Sequence, residues 1–213
     1  MNLLKMVCIA ALIAVGVTNQ ASATVYTNEG VFKSDNQVFL FDFTLTSAAD
    51  VTLRTLSYAG GINANGQTIA SGGFDPVLAL FFKNGDFIGQ YNDGSTTADP
   101  VTGLKYDTYA FLANLAADEY TLAIMQFGND ASTDNLSFGF SRDNQPNFTL
   151  EEFGSEFLPC DRFIDPSGNC RNGQWAYDIV TSETTSNVPE PVSLALFGLG
   201  LLGLAASRRR KTT

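Results

Sequence analysis

The chain has 213 residues, enough for one domain of ordinary size with a real core, and its 45% apolar against 16% charged residues, with 17 phenylalanines, exclude a largely disordered protein. Histidine is absent, which removes Ser-His-Asp and Cys-His catalysis, HExxH zinc sites and imidazole metal ligands. Between residues 24 and 191 seven cations stand against all 22 acids, a net charge of −15 that repels phosphate backbones and excludes nucleic acid as a partner.

In chain order, residues 1–23 come first. Lys5, the apolar run MVCIAALIAVGV and the small-x-small triplet Ala21-Ser22-Ala23 make a secretory signal peptide, with cleavage expected after Ala23. The competing reading, a buried amphipathic helix, needs a polar face that the run lacks.

From 24 to 180 the pattern is short strands with turn signals. Phe39, Phe41, Phe43 and Leu45 share one face at period two, and Val51 and Leu53 oppose Thr52 and Arg54. VLALFF at 77–82, then Lys83-Asn84-Gly85, then DFIGQY reads as a hairpin with a type I′ turn. Further strands are expected at 106–114, 119–127, 136–141 and 174–180, the last alternating Trp175, Tyr177 and Ile179 against Asp178. No run of ten residues carries a helical stripe. Together these imply an all-β domain, an antiparallel β-sandwich of jelly-roll type.

Phe74-Asp75-Pro76, the Asn84-Gly85 turn, Tyr91-Asn92-Asp93-Gly94, Asp99-Pro100 and the strand AADEYTLAIMQ resemble a group of PEP-CTERM proteins whose core is similar to the bacterial pre-peptidase C-terminal domain. The resemblance covers about half of the chain and implies a small, non-catalytic β-sandwich accessory module. Glu119 stands where that pattern carries a glycine, and 143–173 looks like an addition to it.

Asp75, Asp93, Asp99 and Asp107 fall at strand ends around the central hairpin, and hard oxygen ligands converging there would suit Ca²⁺. The spacing is not an EF-hand, and the same residue types also make ordinary turns. Cys160 and Cys170 are the even pair left after removal of Cys8, and in an exported chain they are expected to form a disulfide across the Asp165-Pro166-Ser167-Gly168 turn. Glu151, Glu152 and Glu156 supply carboxylates for a carbohydrate-active enzyme, the alternative to a non-enzymatic protein. The rings of Tyr58, Tyr91, Tyr109 and Trp175 could stack on sugars or pack in a core.

The polar spacer TSETTSN starts a linker over 181–191 that ends in Pro189-Glu190-Pro191. Residues 192–207 carry no charge and as a helix reach about 24 Å, short of the roughly 30 Å hydrocarbon core, so they make a marginal transmembrane helix. The basic tail 208–213 holds that end in the cytoplasm by the positive-inside rule. Elbow, apolar run and basic tail resemble the PEP-CTERM sorting signal of Gram-negative bacteria. The resemblance implies signal peptidase and exosortase as partners during export and a transient inner-membrane intermediate. It also implies delivery to the cell surface or to extracellular polysaccharide and biofilm. The two prolines deny a continuous helix, so Glu190 is presented extended.

Overall fold

The computed structural model describes residues 21–154, 160 and 162–184. The signal segment up to residue 20, Glu156, the Pro189-Glu190-Pro191 elbow, the predicted span 192–207 and the basic tail lie outside the described residues. Among the described residues no helix is long and apolar enough to cross a membrane.

In chain order the strands are β1 (Ala21–Val31), β2 (Val38–Thr44), β3 (Ala49–Thr55), the short hairpin β4 (Gly61–Ile62) and β5 (Thr68–Ile69), β6 (Pro76–Phe82), β7 (Phe87–Asn92), β8 (Tyr109–Leu115), β9 (Glu119–Gln126), the short pair β10 (Phe163–Ile164) and β11 (Cys170–Arg171), and β12 (Gln174–Thr184). The long strands form two four-stranded antiparallel sheets, ordered β1-β12-β3-β8 and β2-β9-β6-β7. These pack as an all-β sandwich.

The period-two pattern sets what lies between the sheets. Phe43, Leu45, Val51, Leu53, Tyr177 and Ile179 are buried there with Leu78, Leu80, Leu122 and Ile124, and Phe39 and Phe41 pack against them. The rings of Phe32, Phe39, Phe74, Trp175 and Tyr177 stack along this layer at centroid separations of 4.7 to 6.4 Å. Strands β6 and β9 are apolar on both faces, as a continuous run such as VLALFF requires when both sides are covered. Their second face, with Val77, Ala79, Phe81, Ala123 and Met125, is covered by Ala131, Leu136 and Phe140 from the segment after β9.

Several expectations are corrected. The 136–141 strand is instead a 3₁₀ turn over Leu136–Phe138, capped by the Asn135 side chain and closed at Gly139, whose φ is 75°. That left-handed step ends an extended run. The 83–86 connection is not type I′: among the described residues Asn84 has no positive φ, and Gly85 alone supplies it at 90°. Phe82 O accepts from Gly85 N and Phe82 N donates to Asp86 O, so the loop is a turn closed by a left-handed glycine. Strand β1 is additional to the predicted set, and its Ala21–Ala23, the expected signal-cleavage triplet, pair with Thr184, Glu183 and Ser182. The first four residues of the spacer expected from Thr181 are instead strand, since β12 runs to Thr184, and Thr181 is fully buried. A helix α1 (Phe148–Phe153) stands where no helical stripe was visible; it is only six residues long, and buried Asp35 accepts from Asn147 N, Thr149 N and Thr149 Oγ1 at its start.

Candidate functional site

The loops 55–59, 73–75, 93–107 and 165–171 carry most of the buried carboxylates. Asp107 stands just before β8. Its carboxylate accepts from Thr55 Oγ1 at 2.8 Å and from the amides of Ser57, Tyr58 and Ala59 at 2.7, 3.1 and 2.7 Å. Those amides leave β3 in a turn with no ladder partner, so a buried anion with several lone pairs is the side chain that satisfies them together.

Asp99 does the same for its own loop, accepting from the amides of Val101 and Thr102 and from the Thr102 hydroxyl. It also pairs with Arg171 at 3.3 Å, both side chains being buried. Burial pushes the Asp99 carboxyl upward, but the Thr102 amide and hydroxyl and the Arg171 guanidinium outweigh it and hold the group below the usual range.

Arg171 is the hinge of this cluster. Its guanidinium lies 3.7 Å from the centre of the Tyr58 ring and donates to Gly73 O at 2.8 Å and Tyr58 O at 2.6 Å. Gly73 has no room for a side chain, since a Cβ there would sit 2.3 Å from Gln174 O and 2.5 Å from Ser57 O. The preceding residue, Cys170, forms the disulfide with Cys160, as the even cysteine pair implied. Tyr58 in turn donates its hydroxyl to Asp165 at 2.5 Å, and burial followed by this carboxylate raises the phenol. Asp165 also accepts from the amides of Ser167 and Asn169 and from the Asn169 side chain, which closes the turn inside the disulfide loop.

Asp75 differs from the others. It is 2% exposed and its Oδ1 has no protein partner among the described residues. Burial first, then the negative charges of Asp93, Asp165 and Asp107, push its carboxyl up to about 9, so it is protonated at neutral pH. Asp93, with φ 59°, is also raised by burial.

Of the four residues expected as Ca²⁺ ligands, Asp107 is engaged by Thr55 and loop amides and Asp99 by its turn and Arg171, while Asp75 and Asp93 each keep a buried Oδ1 with no hydrogen-bond partner among the described residues. Among the described residues no three His, Cys, Asp or Glu side chains are grouped so as to hold a metal ion. Of the carboxylates of the enzyme alternative, Glu152 is ion-paired to Arg142 at 2.6 Å and Glu151 is exposed on α1, while Glu156 lies outside the described residues. Of the candidate sugar-stacking rings, Tyr58 and Trp175 are buried and Tyr91 packs against the inter-sheet core, while Tyr109 is 47% exposed.

Sequence reasoning missed Arg171 and Asp165 as parts of this cluster. The signal was a lone cation beside Cys170 in a body with only seven, where burial of several acids requires a counter-charge. It also missed the partner of Asp178, the residue set against Trp175, Tyr177 and Ile179 in the strand pattern. The β4–β5 hairpin covers Asp178, which pairs with Arg54 at 2.6 Å and accepts from Ala64 N.

Comparison with known proteins places one segment. Residues 187–211 match the PEP-CTERM protein-sorting motif, the stretch that holds the Pro-Glu-Pro elbow, the apolar run and the basic residues. No curated protein matches the chain. Among solved structures, Aeromonas hydrophila PliG, a periplasmic lysozyme inhibitor of g-type lysozyme, is similar at 11% identity over 76% of this chain and 86% of that one, with a TM-score of 0.32. A likeness that distant carries no argument about activity.

Proposed function

We propose that this is an exported, non-enzymatic protein, processed by an exosortase near Pro189-Glu190-Pro191 and delivered to the cell surface or the extracellular polysaccharide. There its β-sandwich serves as an interaction module. The match of residues 187–211 to the sorting motif carries the reading, because that motif marks proteins for export and exosortase handling. The Cys160–Cys170 disulfide fits an oxidising compartment outside the cytoplasm.

The strand order supports the jelly-roll reading: naming the eight long strands a to h in chain order, the sheets run a-h-c-f and b-g-d-e, two interlocked Greek keys. The same order supports the resemblance to pre-peptidase-type accessory modules, which are also small sandwiches without catalytic machinery. Asp99 and Asp107 fit that resemblance as residues that shape loops. The donors around Asp99 and Asp107 come from the protein's own backbone, which favours structure over chemistry at this end of the domain.

Intact-mass measurement of the protein recovered from culture, with and without the host's exosortase gene, tests the sorting reading. The expected mature chain starts at Thr24 and ends near the elbow in the wild type, and keeps residues 192–213 when the exosortase is deleted. Identical masses in the two strains would overturn it.

A further inference from the structure

The two outer sheet faces are treated differently. On β2-β9-β6-β7 the central strands β6 and β9 are buried beneath the segment after β9, and on the edge strand β2 Leu40 is 47% exposed. On β1-β12-β3-β8, the β4–β5 hairpin covers Asp178 and Arg54, while Tyr109 and Phe111 on the edge strand β8 remain 47% and 58% exposed.

These two residues stand at i and i+2 on β8, on one face, their Cα atoms about 7 Å apart. Their cross-strand neighbours are Arg54 and Thr52, followed on β12 by Asp178 and Val180. Beside Tyr109 a cleft of about 460 Å³ opens, lined by Arg54, Thr108 and the hydroxyl-bearing loop Ser95-Thr96-Thr97. Gly94 makes that wall possible: it has φ 94°, bridges to Thr108, and a Cβ would stand 2.7 Å from Tyr109 O. The Arg54 charge is balanced by Asp178 at 2.6 Å.

The patch thus offers two aromatic faces, a row of hydroxyls and one internally neutralised ion pair within an acidic body. A ligand complementary to it has apolar ring faces to stack and hydroxyls to bond, and carries no net charge. Backbone addition of another strand is discouraged on this edge, because Asn114 in β8 is left-handed at φ 53° and the β3–β8 register shifts between Ala49 and Val51. From this geometry we infer that Tyr109, Phe111 and the Ser95–Thr97 cleft form a binding site for a neutral polysaccharide strand. The inference rests on the reading that the protein is delivered among extracellular polysaccharides, and gives that reading a site.

The test is affinity electrophoresis of the full chain, held in a detergent without a sugar headgroup, in gels cast with a neutral β-glucan, a neutral galactan or anionic alginate. At least one neutral glycan should retard the wild type. The double variant Tyr109→Ala/Phe111→Ala should bind it at least tenfold more weakly with its melting temperature unchanged, and Phe138→Ala, at a still more open ring elsewhere (72% exposed), should bind as the wild type does. Undiminished binding by the double variant would overturn the site. So would retardation by alginate alone, retardation by no glycan, or a concentration-dependent dimer that the double variant abolishes, which would make the face a self-association surface. Failure of the export reading shows separately, in the masses of the secreted protein.

Discussion

Replacing Asp75 by asparagine removes one proton-binding group whose two states differ sharply. In the folded protein its carboxyl titrates at about 9, because burial and the neighbouring Asp93, Asp165 and Asp107 disfavour the charge. In the unfolded chain it returns to about 3.9. Below about pH 4 the group is protonated in both states and costs nothing. Between there and about 9 only the folded state holds the proton, so stability falls as pH rises, by about 1.4 kcal/mol per pH unit. Above about 9 the loss levels off. The substituted carboxamide binds no proton, so the stability of Asp75→Asn relative to the wild type should rise by about 4 kcal/mol between pH 5 and 8. Other titrating groups occur in both proteins and largely cancel. Urea denaturation of both chains at pH 5, 6, 7 and 8 reads the difference from the midpoints, at equal m. A difference that stays flat across that range would refute the assignment of a neutral, buried Asp75.

Arg171→Met should destabilise the fold by about 3–5 kcal/mol, since it leaves Asp99 buried without its counter-charge and frees the carbonyls of Gly73 and Tyr58; the same urea titration at pH 7 measures it. Reducing the Cys160–Cys170 bond, or replacing both cysteines by serine, should cost about 3 kcal/mol for a loop with a sequence separation of 10, seen as a lowered melting temperature. Gly73→Ala should cost about 1–3 kcal/mol by forcing Gln174 O and Ser57 O apart, again read from the denaturation midpoint. A calcium chelator should leave the melting temperature of the purified protein unchanged, because the carboxylates of Asp99 and Asp107 are already engaged by protein donors; a drop would restore them as metal ligands.

The strands that the sequence made legible are those whose two faces differ in polarity or that are apolar throughout. Phe39-Phe41-Phe43, Val51-Leu53 and Trp175-Tyr177-Ile179 alternate, and VLALFF is continuous, so each announces its burial before any contact is known. Strand β1 was not legible, because TVYTNEG presents few apolar positions. It is an edge strand held by its ladder to β12, with Gly30 lying flat against the Trp175 ring. The site shows the same division. Aspartates at strand ends were visible as a class, but their roles depended on which loop amides came within reach. Asp107 serves residues about 50 positions earlier, a relation that local spacing does not encode. Arg171 was hidden for a similar reason, since its partners Tyr58, Gly73 and Asp99 come from three separate loops.

The register of β1 on β12 bears on how such a domain tolerates processing at both ends. Ala21 pairs with Thr184 and Thr24 with Thr181, so the two ends of the sandwich are adjacent rungs of one ladder. Cleavage after Ala23 removes three rungs and leaves Thr24 O accepting from Thr181 Oγ1 at 3.4 Å. Cleavage near Pro189 removes none of the described rungs, which run to Thr184. The buried layer begins further in, at Tyr26, Phe32, Tyr177 and Ile179, and depends on neither cut. A fold whose core starts inside both processing points can be trimmed at each end without a stability cost beyond a few exposed edge hydrogen bonds, each worth about 1 kcal/mol. The trimmed form, residues 24 to about 190, should therefore melt no more than about 10 °C below the full chain. A fall of about 20 °C or more, well beyond that expectation, would mean that the removed segments contribute to the sandwich itself.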